Sequence, residues 1–265
     1  MDEIRSYLRG NYNYDPGVYQ GYPNVSDNEK MFFRLDWNIN QNHKFSVRYN
    51  QVESKSPSNA STSVTGSGVT GVLSYGNQRS GSNQDAGLNF ANSNYYQAAN
   101  LYSAVAELNS KISNKVSNVA RFTISHQNDP RTVEGGDFPL VDILDGTQSS
   151  SSAGKVLTTF GYEPFSYGNL RDVKTYTYSD ELLFSLGRHN VTLGAQAEFS
   201  TTKNGFQRFG TGFYTFASWN DFKNNARPLQ YTVTYPLTAD GSQAFPSFKF
   251  AQYSGYIQDE WTVSD

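Results

Sequence analysis

Three patterns in the sequence have residue types that could do chemistry, and the first is a glycine-rich run. Gly66-Ser67-Gly68-Val69-Thr70-Gly71 has the spacing G-x-G-x-x-G, in which glycines let the backbone approach a dinucleotide pyrophosphate. That chemistry requires a buried strand before the run and a helix after it. The flanking segments 59–65 and 72–76 are rich in small and polar residues and fit neither element. We therefore interpret the run as a loop and expect no bound cofactor.

The second pattern is a set of residues that could bind a metal ion. The histidines lie far apart in sequence, at His43, His126 and His189, and none has metal-ligand spacing. Carboxylates cluster around Gly135-Gly136 and could supply oxygen ligands for Ca²⁺. These carboxylates are Asp129, Glu134, Asp137, Asp142 and Asp145. Their spacing is not that of an EF-hand, so we expect an ordinary loop and no metal.

The third pattern is aromatic. The residues Phe206, Phe209, Phe213, Tyr214, Phe216 and Trp219 could stack on a sugar or a peptide. Packing against lipid or at a membrane interface is the interpretation we adopt for them. No serine is flanked as a nucleophile elbow. We therefore expect no catalytic residues, and a protein that is not an enzyme.

Composition narrows the fold class. Hydrophobic residues make up only 37% of the 265 residues, yet aromatic residues make up 15%. An α/β enzyme would need more aliphatic residues, and a disordered chain would have fewer aromatic ones. The small net charge of −3 disfavours nucleic-acid binding. Strands with one aromatic-rich face and one polar face account for both percentages.

Alternation of apolar and polar residues then locates the strands. In 31–39 the odd positions are apolar, and 44–50 repeats this pattern, which is typical of strands with two different faces. An odd-length turn at Gln41-Asn42-His43 would place Ile39 opposite Phe45, Trp37 opposite Val47 and Leu35 opposite Tyr49. Further hairpins are predicted around 112–114 and around Arg188-His189. Weaker strands are predicted near 210–217, 228–236 and 249–264, with a short helix or turn near 218–226.

The connections between the predicted strands alternate between short and long along the chain. Short turns fall near 41–43, 112–114 and 188–189, while long polar segments fall near 54–95, 127–172 and 237–247. Short turns on one rim and long loops on the other are typical of outer-membrane barrels. The predicted fold class is therefore all-β, an antiparallel up-and-down transmembrane β-barrel, of which the chain forms a part of about nine strands. Residues 1–29 are predicted to be a loop that leads into the first strand, and 30–265 the partial barrel.

The parity of each strand assigns its residues to a face. The lumen-facing candidates are Arg34, Asp36, Arg48, Glu107, Arg121, Gln196, Glu198, Gln258 and Glu260. The lipid-facing candidates are Phe33, Leu35, Trp37, Ile39, Phe45, Val47, Tyr49, Leu182, Phe184, Leu186, Val191, Leu193 and Trp261. Asp180 has the apolar parity, and we expect it to lie beyond the hydrocarbon.

Several segments resemble a known family. The hairpin 33–49, with Phe33-Arg34-Leu35-Asp36-Trp37 at its start, is similar to an early barrel hairpin of TonB-dependent receptors. Ala106-Glu107-Leu108-Asn109-Ser110, Phe138-Pro139-Leu140-Val141-Asp142-Ile143 and Tyr256-Ile257-Gln258-Asp259-Glu260-Trp261 resemble recurrent segments of the Oar-like branch, which is common in Bacteroidetes. The resemblance covers roughly residues 30–265. The first and last motifs are the more specific ones.

The resemblance implies a transporter or receptor in the outer membrane of a Gram-negative bacterium. It implies a barrel of about 22 strands, a plug domain and a segment that binds TonB, all extending beyond this chain. Met1 is followed by acidic residues without a secretory signal, so we expect the natural N-terminus to lie upstream. The expected partners are outer-membrane lipid, the plug, the other barrel strands, TonB and an unidentified small ligand, with no nucleic acid.

Two alternatives remain open at this point. A secreted β-sandwich that binds carbohydrate or acts as an adhesin would bury the apolar faces against each other in a dry core. A passive porin-like barrel would have the same wall without coupling to TonB.

Overall fold

The computed structural model of the chain describes residues 1–61, 87–148 and 154–264. The glycine-rich run 66–71 lies outside the described residues. Described elements comprise two α-helices, twelve strands and a 3-10 turn at Ala91–Ser93. In chain order they are α1 (Asp2–Tyr12), β1 (Asp27–Asn38), β2 (His43–Ser58), β3 (Tyr95–Ala98), β4 (Asn100–Lys111), β5 (Val116–Thr132), β6 (Leu140–Leu144), β7 (Val156–Phe160), β8 (Leu170–Leu186), β9 (His189–Gly205), β10 (Phe213–Phe216), α2 (Trp219–Lys223), β11 (Gln230–Thr232) and β12 (Ser247–Trp261).

Eight of these strands form one antiparallel sheet, which we call the wall. Its order is β1-β2-β4-β5-β8-β9-β12. The short strand β3 precedes β4, is separated from it by Ala99, and pairs with β2 and β5 in the same register as β4. The seven long strands have 12 to 17 residues, more than the five or six of most globular strands. Strands of this length can cross a bilayer at a tilt. The predicted count of about nine wall strands is too high, because the segments near 210–217 and 228–236 join a second sheet.

The first hairpin has the predicted parity but a different register. Trp37 lies opposite Phe45, whereas Val47 was the predicted partner of Trp37. The side-chain oxygen of Asn40 accepts hydrogen bonds from the backbone N–H groups of Asn42 (2.8 Å) and His43 (2.9 Å). This local turn starts the reversal one residue earlier than predicted. Each cross-strand partner therefore moves by two residues, and every side chain stays on its predicted face.

The hairpin between β8 and β9 also turns one residue earlier than predicted. Leu186 pairs with His189, so the two-residue turn is Gly187-Arg188. Gly187 has a φ of 70°, a conformation that the first position of a two-residue hairpin turn often needs and that glycine adopts without strain. The turn keeps an even number of residues, so the predicted faces of both strands remain.

The three short turns lie side by side on one rim of the wall. Backbone hydrogen bonds join neighbouring turns, from Lys111 N to Asn42 O (2.8 Å) and from Ser185 N to Lys115 O (2.8 Å). We call this the short-turn rim, and the opposite end the long-connection rim. The predicted alternation of connection lengths is thus present in the structure, and β2 and β5 extend to Ser58 and Thr132 before their long connections begin.

The apolar side chains of the wall are not covered by another sheet of the described residues. Leu35 is 59% exposed, Trp37 60% and Ile257 74%. The two buried cores of the described chain contain no side chain from the apolar face of the wall. A β-sandwich would bury this face in a dry centre. The sandwich alternative is therefore wrong.

A second sheet of four strands, in the order β11-β10-β6-β7, is built from the long connections. Together with α1 and α2 it forms what we call the rim subdomain. Its central strand β6 is buried along its whole length. Val141 and Ile143 pack in one core with Ile4 and Phe222, while Leu140 packs in a second core. The pairing of β6 with β10 is parallel, an exception to the predicted antiparallel order.

Residues 1–29 were predicted to be a loop, and the structure corrects this. Helix α1 buries Ile4 and Leu8, one turn apart, against the rim subdomain. Glu3 at its first turn binds Lys223 of α2 (2.8 Å) and accepts a hydrogen bond from the Trp219 indole (2.9 Å). These two contacts lower the pKa of the Glu3 carboxyl from its usual value. The helix is thus a structural part of the rim subdomain.

A buried carboxylate joins two connections at the same rim, the one between β2 and β3 and the one between β7 and β8. Glu163 accepts hydrogen bonds from the backbone N–H groups of Phe165 (2.9 Å) and Ser61 (3.3 Å) and from the Ser166 hydroxyl. The side chain is fully buried. Burial raises the pKa of Glu163 from its usual value, although the three donors act in the opposite direction.

A glycine-to-alanine change tests the packing of the rim subdomain. Gly161 has a φ of 100°, and a Cβ there would lie 1.9 Å from the carbonyl oxygen of Pro139. We expect Gly161→Ala to lower the free energy of unfolding of the rim subdomain by about 2 kcal/mol or more, because backbone strain and a backbone clash add. Urea unfolding followed by Trp219 fluorescence, with Trp37 and Trp261 replaced by Phe, would measure it.

The matched control for this variant is Gly136→Ala, at a φ of 77° with open space around the added Cβ. It shares the backbone strain without the clash, so its cost should be smaller. Equal costs for the two variants would contradict the packing described here.

The pH dependence of stability tests the environment of Glu163. A carboxyl whose pKa is higher in the folded state binds a proton more tightly there, so it favours folding at low pH. Its contribution falls as the pH rises from the unfolded pKa, about 4.3, to the folded one. We expect Glu163→Gln to remove this fall. Urea unfolding of both proteins between pH 4 and pH 8 measures their free energies of unfolding. Glu3 contributes equally to both proteins, so its opposite pH dependence cancels when one free energy is subtracted from the other.

Candidate functional site: the polar face of the wall

The two faces of the wall differ in chemistry along complete rows of side chains. One row on the polar face crosses all seven long strands, and it consists of Asp36, Ser46, Glu107, Arg121, Ser179, Gln196 and Ser254. The row one residue away, on the other face, consists of Leu35, Val47, Ala106, Phe122, Tyr178, Ala197 and Tyr253. Since side chains alternate between faces, the register alone separates them.

All nine residues predicted to share the lumen side lie on this polar face. Arg34 pairs with Arg48 across β1 and β2, and Glu107 pairs with Arg121 across β4 and β5. Gln196 and Glu198 lie at mid-length on β9, while Gln258 and Glu260 lie on β12 nearer the short-turn rim. The structure thus brings them onto one surface rather than into one pocket. That this surface faces a lumen stays a prediction.

Ion pairs hold charged side chains on β1, β4 and β5. Arg34 binds Asp36 through two hydrogen bonds, from Nε to Oδ2 (2.8 Å) and from Nη2 to Oδ1 (2.9 Å). Arg121 donates to Glu107 (2.8 Å), whose other oxygen accepts a hydrogen bond from Asn109 (2.9 Å). These side chains are between a quarter and a half exposed. Water screens pairs this exposed, so they contribute little to stability.

The consequence of these pairs is geometric rather than energetic. A two-point pair fixes the plane of the guanidinium, so the charges of Arg34 and Asp36 keep a defined orientation. The face combines fixed charges of both signs with serine, threonine and amide groups. Such a surface can hydrogen-bond to water and to polar solutes. The described side chains on it do not form a cluster that indicates a particular reaction.

The predicted lipid-facing residues also share one face. Twelve of the thirteen lie within wall strands, in register with one another. The exception is Ile39, which follows the last residue of β1 and donates its N–H to the carbonyl of His43 (3.0 Å). Trp37 and Trp261 lie at the short-turn rim, where Trp261 stacks on His189 with ring centroids 5.6 Å apart. That this face contacts lipid stays a prediction as well.

Asp180 departs from its predicted position. On the apolar face it pairs with Ala120 and Ala195, and the rows on both sides of it are largely apolar. It therefore lies within the apolar face rather than beyond it. Asn118 donates a hydrogen bond to its carboxylate (2.7 Å). The small neighbours leave a depression of about 650 Å³ in this part of the face.

The histidines each have a local partner. His43 contacts the Ser110 hydroxyl (2.9 Å), His126 the Asp172 carboxylate (3.1 Å) and His189 the Asp259 carboxylate (2.7 Å). The structure places His126 within β5, whereas the sequence suggested the start of a loop. In residues 1–61, 87–148 and 154–264, no group of three or more potential ligands could hold a metal ion.

The carboxylates around Gly135-Gly136 likewise have separate partners. Asp142 lies in the buried β6 and accepts a hydrogen bond from the Thr159 hydroxyl (2.7 Å). Asp145 caps a turn and binds the side chain and the N–H of Thr147, contacts that lower the pKa of its carboxyl. Glu134 lies 3.8 Å from Lys55. The structure gives these three side chains separate local roles.

The aromatic cluster was interpreted as lipid-facing or interfacial, and the structure corrects this. Phe213 is fully buried, and Phe209 and Phe216 are at most 8% exposed, all within the two cores of the rim subdomain. Trp219 packs against the first of these cores. Phe206 is the exposed member, at 56%. The cluster is therefore mainly core.

Helices do not cross a membrane in the described part of the chain. None of them is long and apolar enough to span a bilayer.

Comparison with known proteins agrees with the geometry of the wall. A family model described as "Outer membrane beta barrel domain" matches residues 6–265. No curated protein matches the chain. Among solved structures, the outer membrane transporter YddB from Escherichia coli is similar, with a TM-score of 0.54 at 12% identity. The match covers 88% of this chain and 25% of YddB, so the chain spans about a quarter of the length of that protein.

The structural match supports the fold alone, because the identity is low. The family match covers nearly the whole chain, and it confirms both the predicted fold class and the predicted location in the outer membrane. The chain belongs to the outer membrane beta-barrel domain family.

Proposed function

We propose that the chain forms part of the wall of an uptake channel, with its polar face toward the lumen and its apolar face toward lipid. The observation that carries this proposal is the pair of complete rows, one polar and one apolar, that cross all seven long strands one residue apart. A barrel wall with water on one side and hydrocarbon on the other requires this separation.

The height of the apolar face supports a membrane crossing. On β8 the apolar parity runs from Tyr176 to Leu186, a distance of about 34 Å along the strand at about 3.4 Å per residue. At a tilt of about 40° this corresponds to about 26 Å along the membrane normal, close to the apolar band of about 25 Å in outer-membrane barrels. Tyr176 and Trp261 lie near its two ends, where aromatic girdles form.

The finer proposal is a TonB-dependent transporter or receptor of the Oar-like branch. The resembling segments support it by their positions, since 33–49 forms the β1-β2 hairpin and 256–261 the end of β12. In such a protein a plug and the other strands complete the barrel, and TonB supplies the energy for uptake. The charged residues of the polar face would contact the plug or a polar ligand. We propose transport and no catalysis.

Site-directed spin labels test the orientation of the two faces. The chain has no cysteine, so a single cysteine can be introduced at Gln196 or at Ala197, neighbours on β9 with opposite faces. In the full-length protein in lipid, we expect the label at Gln196→Cys to collide more with a water-soluble nickel chelate. The label at Ala197→Cys should collide more with oxygen, which concentrates in lipid. Power-saturation spectroscopy measures both.

The control pair for this measurement is Ser179→Cys on the polar face of β8 and Tyr178→Cys on its apolar face. They should repeat the contrast on a neighbouring strand. The reversed contrast on both strands would place the apolar face inward and would refute the proposal.

Electrical conductance separates a plugged transporter from a passive porin. We expect the full-length protein in a planar bilayer to give no steady open-channel current, since a plug would fill the lumen. We also expect the isolated periplasmic domain of TonB to bind it, as isothermal titration calorimetry would detect. A steady ohmic current with no TonB binding would favour the porin alternative and leave the orientation of the faces unaffected.

A further inference from the structure

The outward edge of the apolar face carries opposite charges on its two sides, at the same height. Next to the long-connection rim, β1 and β2 contribute Glu29 and Glu53, which are cross-strand partners. On the other side, β9 contributes Lys203 in the same row, and β8 and β12 contribute Lys174 and Lys249 in the row next to it. The basic patch formed by these three lysines is therefore a local feature and not a property of the whole rim.

Strand register brings the three lysines together. Lys174 and Lys249 both lie opposite Thr201 of the strand between them, so their backbones are two strand spacings, about 10 Å, apart. Lys203 lies on that middle strand, one row nearer the rim. All three residues are exposed. Since lysine side chains are long and flexible, their ammonium groups can converge on one group that lies between them.

The carboxylate nearest to the patch, Asp172, interacts electrostatically with Lys174 but forms its hydrogen bonds with β5. Asp172, opposite Lys203, accepts hydrogen bonds from His126 (3.1 Å) and Asn128 (2.8 Å) on β5. Among the described residues, none of the three lysines forms an ion pair, while Lys203 lies 4.7 Å from the centre of the Phe245 ring. Three lysines beside one carboxylate leave the patch with a net positive charge among the described residues.

Aromatic side chains place this patch at a membrane interface. Tyr176 and Phe199 form a cross-strand pair in the row directly below Lys174 and Thr201, on the same face. Both rings are 40% exposed. Aromatic rings at the end of an apolar band lie at the level of lipid headgroups. The lysines begin where this band ends, at the height at which lipids carry their phosphates.

We propose that Lys174, Lys203 and Lys249 bind the phosphate of an anionic lipid in the leaflet at the long-connection rim. The site would hold one lipid species against this side of the wall, while the carboxylates of β1 and β2 would disfavour it on the other side. The proposal rests on the outward orientation of the apolar face, which the spin-label experiment tests independently.

Lipid titration of the full-length protein in detergent micelles tests the site. The probe is dioleoylphosphatidic acid, with dioleoylphosphatidylcholine as the neutral lipid and inorganic phosphate as the free anion. Bound lipid is read out by native mass spectrometry. Each lysine near an anionic surface is worth about a fivefold change in affinity, so we expect the triple variant K174Q/K203Q/K249Q to bind phosphatidic acid at least tenfold more weakly.

The matched control is K44Q/K111Q/K115Q, which removes the same charge at the short-turn rim. Circular dichroism verifies that both variants keep the barrel. The proposal requires that only the first variant loses phosphatidic acid binding and that phosphatidylcholine binding stays unchanged.

Equal losses in the two triple variants would overturn the proposal, because they would indicate a response to net charge alone. Inorganic phosphate that displaces the lipid at equal concentration would also overturn it, since the site would then be one for a free anion. If the spin labels confirm the orientation and the lysine variant binds normally, the lipid site fails and the proposed function stands.

Discussion

The structure depends on the register of hydrogen-bonded strands, because the register preserves the parity of every side chain across the wall. A shift by two residues leaves each side chain on its face, whereas a shift by one residue would exchange the faces completely. The first hairpin illustrates this, since Trp37 meets Phe45 rather than Val47 and still lies on the apolar face. In a bilayer an exchange would place Arg34 or Glu107 in hydrocarbon, which costs several kcal/mol per charge.

For this reason the wall could be predicted from the sequence and the rim subdomain could not. Alternation is a local signal, so it located β1, β2, β8 and β9 and assigned their faces. The segment 140–144 has no alternation, because both faces of β6 are covered. Its partner β10 lies some seventy residues further along the chain and runs parallel to it. No local pattern in the sequence reports such a pairing.

One feature that was missed did leave a signal in the sequence. Helix α1 has Ile4 and Leu8 one turn apart, with Asp2 and Glu3 in its first turn, where the helix dipole favours negative charge. The helix ends at Asn13, whose left-handed conformation begins the turn-rich segment that follows. The aromatic residues of 206–219 lacked such a signal, since only the tertiary fold distinguishes a dry core from a lipid-facing surface.

Wall and rim subdomain obtain their stability in different ways. The rim subdomain buries Phe160, Phe213 and Leu8 in its own cores, so the apolar contribution to its stability is internal. The wall buries few large side chains, and its apolar face is exposed among the described residues. Asp180 is consistent with this division, because Asn118 supplies the hydrogen bond that water would otherwise provide. The rim subdomain therefore has cores of its own, whereas the apolar face of the wall has no covering layer among the described residues.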